Sequence, residues 1–320
     1  MTDRTGRGSD EGDAEPRTTD DPVRGSTDDP VPDSLHRRVR DHFTDDGDRS
    51  DLWAGFARFL DTRSYLNLGY SRWYQPHPLG DSQRRLAARV GRDLEATLSR
   101  TDGVRLLDVG CGRGGPTTYL ATEFGFDVTG VDLVPYNLQR ARTDALERNV
   151  DAEFVLGDAT ALPLGAGVFP VAIALDALVY VPDDVAAFGE LSRVLSPGGR
   201  LVVTDLVARD GADETGREAL DAFAEAWDMP VPSALSAYRG AIEDAGFTVR
   251  TVDDVTRNST GRFRKWSALY LELASGPTRS PFAWLHRRLG LDPDVVGHQV
   301  RTAHDALPYL RRVLVDARRE

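Results

Sequence analysis

The chain is poor in cysteine, in lysine, in surplus positive charge and in long apolar runs, and each shortage excludes something. Its 320 residues hold one cysteine, Cys111, so no internal disulfide can form, and a chain of this length can build a core without one. The absence of paired cysteines fits a reducing compartment, and the expected location is cytoplasmic. Basic residues number 39 against 51 acidic ones, a net charge of −12, and Lys265 is the one lysine among them. With no basic surplus to neutralise phosphates, the balance argues against nucleic acid or an anionic membrane surface as the main partner. No apolar run approaches the roughly 18 residues of a membrane span, so stable membrane insertion is not expected. The opening MTDRTGRGSDEGDAEP lacks the apolar centre of a secretory signal. The histidines His36, His42, His77, His286, His298 and His304 form no metal-ligand spacing, so no metal is expected.

What is present divides the chain into three. Residues 1–33 carry ten acids, four arginines and no aromatic residue. Such a stretch buries too little apolar surface to offset its chain entropy, which predicts a disordered acidic tail over 1–34. Residues 35–100 read as a helical cap segment. Within it SDLWAGFARFLDTRSYLNLGYSRWYQ (50–75) gathers seven aromatic residues, and a helix over about 51–61 would align Trp53, Phe56 and Leu60. A second helix is predicted over roughly 82–99 from the spacing of Leu86, Val90, Leu94 and Leu98.

From Val104 the pattern alternates. Apolar strand-like runs at 104–109, 127–132, 152–157, 170–176 and 200–206 are separated by helical stretches near 116–124, 136–148, 183–195 and 232–245. Near-continuous apolar strands between helices predict βαβ units, hence an α/β, Rossmann-like parallel sheet covered on both faces, over 101–320. A strand at 247–253, helices at 264–274 and 282–290 and a closing strand at 309–319 complete the reading. The last two helices fall in an insertion at about 255–305 that is predicted to form a lid.

The first strand runs into VRLLDVGCGRGGP (104–116), whose GCGRGG matches the G-x-G-x-x-G turn. Two ligands suit such a turn. A dinucleotide would set its pyrophosphate on the helix N-terminus and its ribose on an acid about 20 residues later, where Asp132 stands. Asp108 argues against it, because a carboxylate about 4 Å from a phosphate charge costs roughly 1 kcal/mol even at water's dielectric. The same carboxylate suits a ligand that carries an ammonium and a sulfonium.

Together VRLLDVGCGRGG, VTGVD, FVLGDATALPL, PVAIALDALVYVPD and LSRVLSPGGRLVVTDL resemble the class I S-adenosylmethionine-dependent methyltransferases, in particular the small-molecule branch that acts on quinones, sterols, tocopherols and natural-product sugars. The resemblance is continuous over 60–250. It implies a seven-stranded sheet of order 3-2-1-4-5-7-6 with the last strand antiparallel, and S-adenosyl-L-methionine as cofactor. It implies that Gly110, Cys111, Gly112 and Gly114 turn over the methionine part, whose amino group Asp108 anchors. Asp132 would take the ribose hydroxyls, Leu133 the adenine face, and Asp158 and Ala159 the adenine edge. Leu175 and Asp176 would line the cofactor beside the substrate, and Tyr65 and Tyr70 in SYLNLGY would fold over it. Arg113 reads as a solvated loop residue.

Some sugar O-methyltransferases of this branch carry a histidine after the fourth strand and an aspartate ending the fifth. Tyr180 and Asp205 stand there in this chain, as the candidate catalytic pair. A tyrosine, with an ordinary pKa near 10, is a poor base at neutral pH. The expected acceptor is therefore a small molecule that is already acidic or activated, or an amine, with His298 or His304 as another source of a base. Trp266, Leu269, Tyr270, Leu271, Phe282 and Trp284 are predicted to give the lid an apolar inner face, which suits an aromatic, quinone-like or lipid acceptor. A nicotinamide-dependent oxidoreductase and a non-catalytic S-adenosylmethionine-binding relative are the alternatives, and the assembly is expected to be a monomer or homodimer.

Overall fold

Seven strands form one sheet in the order β3-β2-β1-β4-β5-β7-β6 in a computed structural model that describes residues 34–44, 64–71, 79–275 and 279–320. The predicted tail over 1–34, except Ser34, which starts helix Ser34–Phe43, and the predicted helix at 51–61 with Trp53, Phe56 and Leu60 lie outside the described residues. The strands are β1 Arg105–Val109, β2 Asp127–Asp132, β3 Glu153–Leu156, β4 Phe169–Leu175, β5 Leu195–Ala208, β6 Phe247–Asp254 and β7 Leu310–Arg319. β7 runs antiparallel between β5 and β6, and every other neighbouring pair is parallel. Sheet order and strand directions agree with the expected class.

The reason lies in the strands themselves. In β4 the run Val171 to Leu175 is buried without alternation, because helices cover both faces of the sheet. Leu107, Ala172, Val203, Phe188 and Leu191 fill one side, and Leu106, Val128, Ile173, Leu86 and Val90 the other. Helix Asp184–Val194 is started by Asp183, whose carboxylate accepts from the Ala186 N–H at 2.9 Å. Helix Gly115–Phe124 ends at Gly125 with φ of 73°, a left-handed position that suits glycine.

Two differences from the sequence reading have physical causes. β5 is longer than the apolar run 200–206, since Leu195 pairs with Phe169 before a bulge and β7 pairs with it out to Ala208. Two helices, Glu214–Ala226 and Pro293–Ala306, fall where the sequence reading placed none. Both carry an aspartate cap, Asp213 and Asp292, and in the second Val296, Val300 and Ala303 are buried at helical spacing. Those caps were the available signal. The segment between β6 and β7 is helical almost throughout, over Thr256–Ser259, Gly261–Leu273, Arg279–Arg288 and Pro293–Ala306. Among the described residues no helix is long and apolar enough to cross a membrane.

Candidate functional site

The carboxyl ends of β1, β2 and β4 open into a cleft, as expected where the strand order of a doubly wound sheet reverses. The glycine turn crosses the end of β2, where Gly110 and Cys111 donate to the Val131 carbonyl at 2.8 and 3.0 Å. Gly110, Gly112 and Gly114 have φ of 70°, 55° and 81°, a region L-residues rarely adopt. Space is as demanding as conformation at Gly110, where an added Cβ would meet the Ala177 Cβ at 2.2 Å.

Asp132 ends β2 and fixes that turn. Its Oδ2 accepts from the Gly112 N–H at 2.8 Å, and its Oδ1 from the Val134 N–H at 2.9 Å and Asn137 Nδ2 at 3.2 Å. Burial pushes its carboxyl up, and these three donors pull it part of the way back. Gly110, Gly112, Asp132, Leu133, Asp158, Ala159, Leu175, Asp176 and Tyr180 all line the cleft, so the structure brings together most of the residues named from the sequence.

Others stand behind the wall. Asp108 is buried beneath the turn, where its Oδ2 accepts from the Thr117 hydroxyl at 2.7 Å. Burial raises its pKa to about 7, the Thr117 hydrogen bond opposes the rise, and Asp132 adds to it. Folding therefore keeps a proton that the unfolded chain releases, and this contribution to stability is lost as pH climbs from about 4 through about 7. Cys111 points into a small cluster with Leu138, Ala141 and Phe154, and burial pushes its thiol well above the ordinary range, which leaves no nucleophilic thiolate. The Tyr65 ring packs against Gly115, and Tyr70 packs into the core on the far side. Their neighbour Leu66 is the residue that reaches the cleft, joined by Val39 and Phe43 from helix Ser34–Phe43.

A second, larger cavity of about 500 Å³ opens beside the first. Phe223, Trp227, Met229, Phe263, Leu291 and Val296 are among its apolar walls. Three residues, Leu66, Asp176 and Tyr180, line both spaces, so the two meet there. Asp176 sits at that junction with φ of 57° and is held by a fully buried arginine from β7, Arg312. The pair is bidentate, Nε to Oδ1 at 2.9 Å and Nη2 to Oδ2 at 2.6 Å, and Arg312 Nη1 also donates to the Gly69 carbonyl. The Leu68 N–H donates to Asp176 Oδ2 at 2.8 Å, so one ion pair ties segment 64–71, β4 and β7 together.

Asp205 lines the larger cavity from β5, fully buried, and accepts from the Tyr238 hydroxyl at 3.1 Å. Burial, with Asp176 adding to it, pushes its carboxyl well above the ordinary range. Tyr180 packs edge-on against Phe43, ring centroids 5.0 Å apart. Of the histidines, His298 and His304 line neither space, and His304 bonds Ser267 at 2.8 Å. His286 lines the larger one. Its Nδ1 donates to the Phe282 carbonyl at 2.9 Å, which in the neutral ring leaves Nε2 to accept from the Tyr270 hydroxyl at 3.1 Å. Trp266, Leu269, Tyr270 and Phe282 face this cavity as the sequence reading has it, whereas Leu271 packs into the neighbouring core and Trp284 points outward. Among the described residues no cluster of three His, Cys, Asp or Glu side chains could hold a metal.

Comparison with known proteins places this geometry in context. Residues 107–203 match the family model described as a methyltransferase domain. An O-methyltransferase of Penicillium expansum is 32% identical over 197 residues, which cover 61% of this chain and 69% of the relative. A 2-methyl-6-phytyl-1,4-hydroquinone methyltransferase of Synechocystis is 34% identical over 148 residues, 45% of this chain and 46% of that one. The crystal structure of geranyl diphosphate C-methyltransferase from Streptomyces coelicolor, solved with magnesium, geranyl-S-thiolodiphosphate and S-adenosyl-L-homocysteine, superposes with a TM-score of 0.65 at 19% identity, covering 91% of this chain and 100% of that one.

Proposed function

Since the chain belongs to the class I S-adenosylmethionine-dependent methyltransferases, we propose that it methylates an apolar small molecule held in the larger cavity. The observation that carries this reading is the junction at Leu66, Asp176 and Tyr180, where the cleft and the cavity share a wall. When bound, S-adenosylmethionine supplies an electrophilic methyl group on a sulfonium. The cleft residues would hold that methyl group at the junction, facing a lone pair or π-electrons of an acceptor seated in the larger cavity.

In this reading Asp132, Leu133, Asp158 and Ala159 hold the nucleoside end, Gly110 and Gly112 let the backbone approach the amino-acid end, and Asp176 with Tyr180 borders the methyl. Alignment of the two partners supplies most of the acceleration, as expected for an in-line displacement. The rigid Arg312–Asp176 pair serves that alignment. Burial raises the Asp205 carboxyl and so favours its protonated form, and in this reading it donates a hydrogen bond to an acceptor oxygen rather than removing a proton. The helices between β6 and β7 act as a lid that excludes water. The relatives whose names carry a phytyl hydroquinone and a geranyl diphosphate support an acceptor with an apolar tail, as do the cavity walls.

Incubation of the chain with methyl-labelled cofactor and fractionated small-molecule extract tests the reading. Label is expected in organic-soluble compounds, and label confined to protein, nucleic acid or water-soluble compounds would overturn it. With the labelled acceptor in hand, Asp205→Asn keeps kcat within about tenfold because an amide still donates, whereas Asp205→Leu loses about a hundredfold or more. Equal losses in the two variants would instead make Asp205 a base.

A further inference from the structure

The chain's acidity is not evenly spread. Residues 256–290 carry seven basic side chains, Arg257, Arg262, Arg264, Lys265, Arg279, Arg287 and Arg288, against one acid, Glu272. That is a net charge of +6 inside a chain of −12, and it includes the only lysine. The same segment forms the helices Gly261–Leu273 and Arg279–Arg288 that wall the larger cavity.

Those helices pack through Tyr270 against Phe282 and His286, with ring centroids 5.1 and 5.5 Å apart. This turns Trp284, two positions on from Phe282, to the opposite side, where it is 61% exposed, and leaves Leu285, three positions on, at the flank and 45% exposed. Leu269 is 56% exposed and also lines the cavity, so it stands at the cavity's opening. Arg264 and Lys265 on the first of these helices and Arg287 and Arg288 on the second are exposed, and none is within ion-pair distance of a carboxylate among the described residues.

We propose that this face docks on the surface of an anionic lipid bilayer and so places the cavity's opening against the membrane. Exposed tryptophan and leucine together with arginine and lysine are the composition of an interfacial helix, in which the apolar side chains enter the acyl boundary and the cations meet the headgroups. The acidic remainder of the chain does not cancel this attraction. Salt screens charges beyond about 8–10 Å, so the bilayer responds to the nearest patch and not to the chain's sum. The geometry also gives the docking a use, because an apolar acceptor dissolved in the bilayer can enter past Leu269 without crossing water.

Co-sedimentation of the full chain with vesicles tests the proposal, using phosphatidylcholine alone and phosphatidylcholine with one quarter phosphatidylglycerol. Binding to the anionic vesicles at low salt is expected, with loss in about 0.5 M salt and little binding to the neutral ones. The doubles Trp284→Ser/Leu285→Ser and Arg287→Glu/Arg288→Glu each weaken the partition by about tenfold or more. The double Arg140→Glu/Arg239→Glu changes net charge as much as the arginine double but on other exposed helices, and it stays within about twofold. Thermal melts confirm that each variant folds. Absence of binding to anionic vesicles, equal binding to neutral ones, or equal loss in the charge-matched control overturns the proposal. So does a dimer that Trp284→Ser/Leu285→Ser dissociates, since the face would then meet a second copy. Vesicle binding needs no methyl transfer, so this result and the acceptor experiment fail independently.

Discussion

Replacement of Arg312 by alanine lowers stability by about 3–5 kcal/mol, which for a unit of this size is a fall in Tm of roughly 6–15 °C. The guanidinium is fully buried, as nearly is the Asp176 carboxylate that it grips with two nitrogens. Breaking such a pair from one side strands a charge in the interior, with only the Leu68 N–H and the Thr204 hydroxyl left to face it. The loss also reaches function, because Arg312 holds the Gly69 carbonyl and thereby the segment that carries Leu66 into both cavities. Arg312→Met combined with Asp176→Asn removes both charges at similar volume and recovers part of the stability, while cofactor affinity stays low. Denaturant midpoints for the two variants check this. A loss of less than about 1 kcal/mol in Arg312→Ala would mean that the pair is no more than a surface contact.

Gly110→Ala weakens cofactor binding about a hundredfold and lowers stability by roughly 2–4 kcal/mol. Two separate costs are expected. The left-handed φ of 70° opposes any side chain, and the new Cβ overlaps the Ala177 Cβ at 2.2 Å. Relieving the contact pulls the turn away from Asp132, whose Oδ2 accepts from Gly112 two residues on. Ala177→Gly in the same chain removes the overlap and leaves the backbone cost, so it restores part of the loss. Calorimetric titration and melting of the single and double variants separate the two terms, and a double no better than the single would assign everything to φ.

The sheet was legible because its evidence is local. Strands such as PVAIALD and the turn GCGRGG carry their pattern within a few residues, and Asp132 and Asp158 stand at strand ends that the same pattern marks. Arg312 was not legible, since its partners Asp176 and Gly69 are 136 and 243 residues away and nothing in YLRRVLVDARR distinguishes it from Arg311. In SYLNLGY both tyrosines are the larger side chains, yet Leu66 meets the cleft, because the Tyr65 ring is taken up against Gly115 and Tyr70 by the core on the far side, contacts that no local pattern announces. His286 was legible as a residue but not as a cavity wall, because only the packing of Tyr270 on Phe282 and His286 turns it inward. Net charge misled in another way, since a sum over the whole chain hides a basic segment of 35 residues.

The central claim is that the cleft binds S-adenosylmethionine rather than a dinucleotide, and Asp108, which lies beneath the glycine turn and not in the cleft, bears on it through the turn that it supports. Its carboxyl, raised to about 7 by burial, destabilises the empty protein at pH 8, where removing it in Asp108→Asn raises Tm; at pH 4 parent and variant melt alike. Titration of S-adenosylhomocysteine and of NAD into the parent and into Asp108→Asn is the most direct measurement. The account predicts heat from S-adenosylhomocysteine and none from NAD, with affinity for the former reduced in the variant. Heat from NAD alone, or tighter binding after the carboxylate is removed, would contradict it.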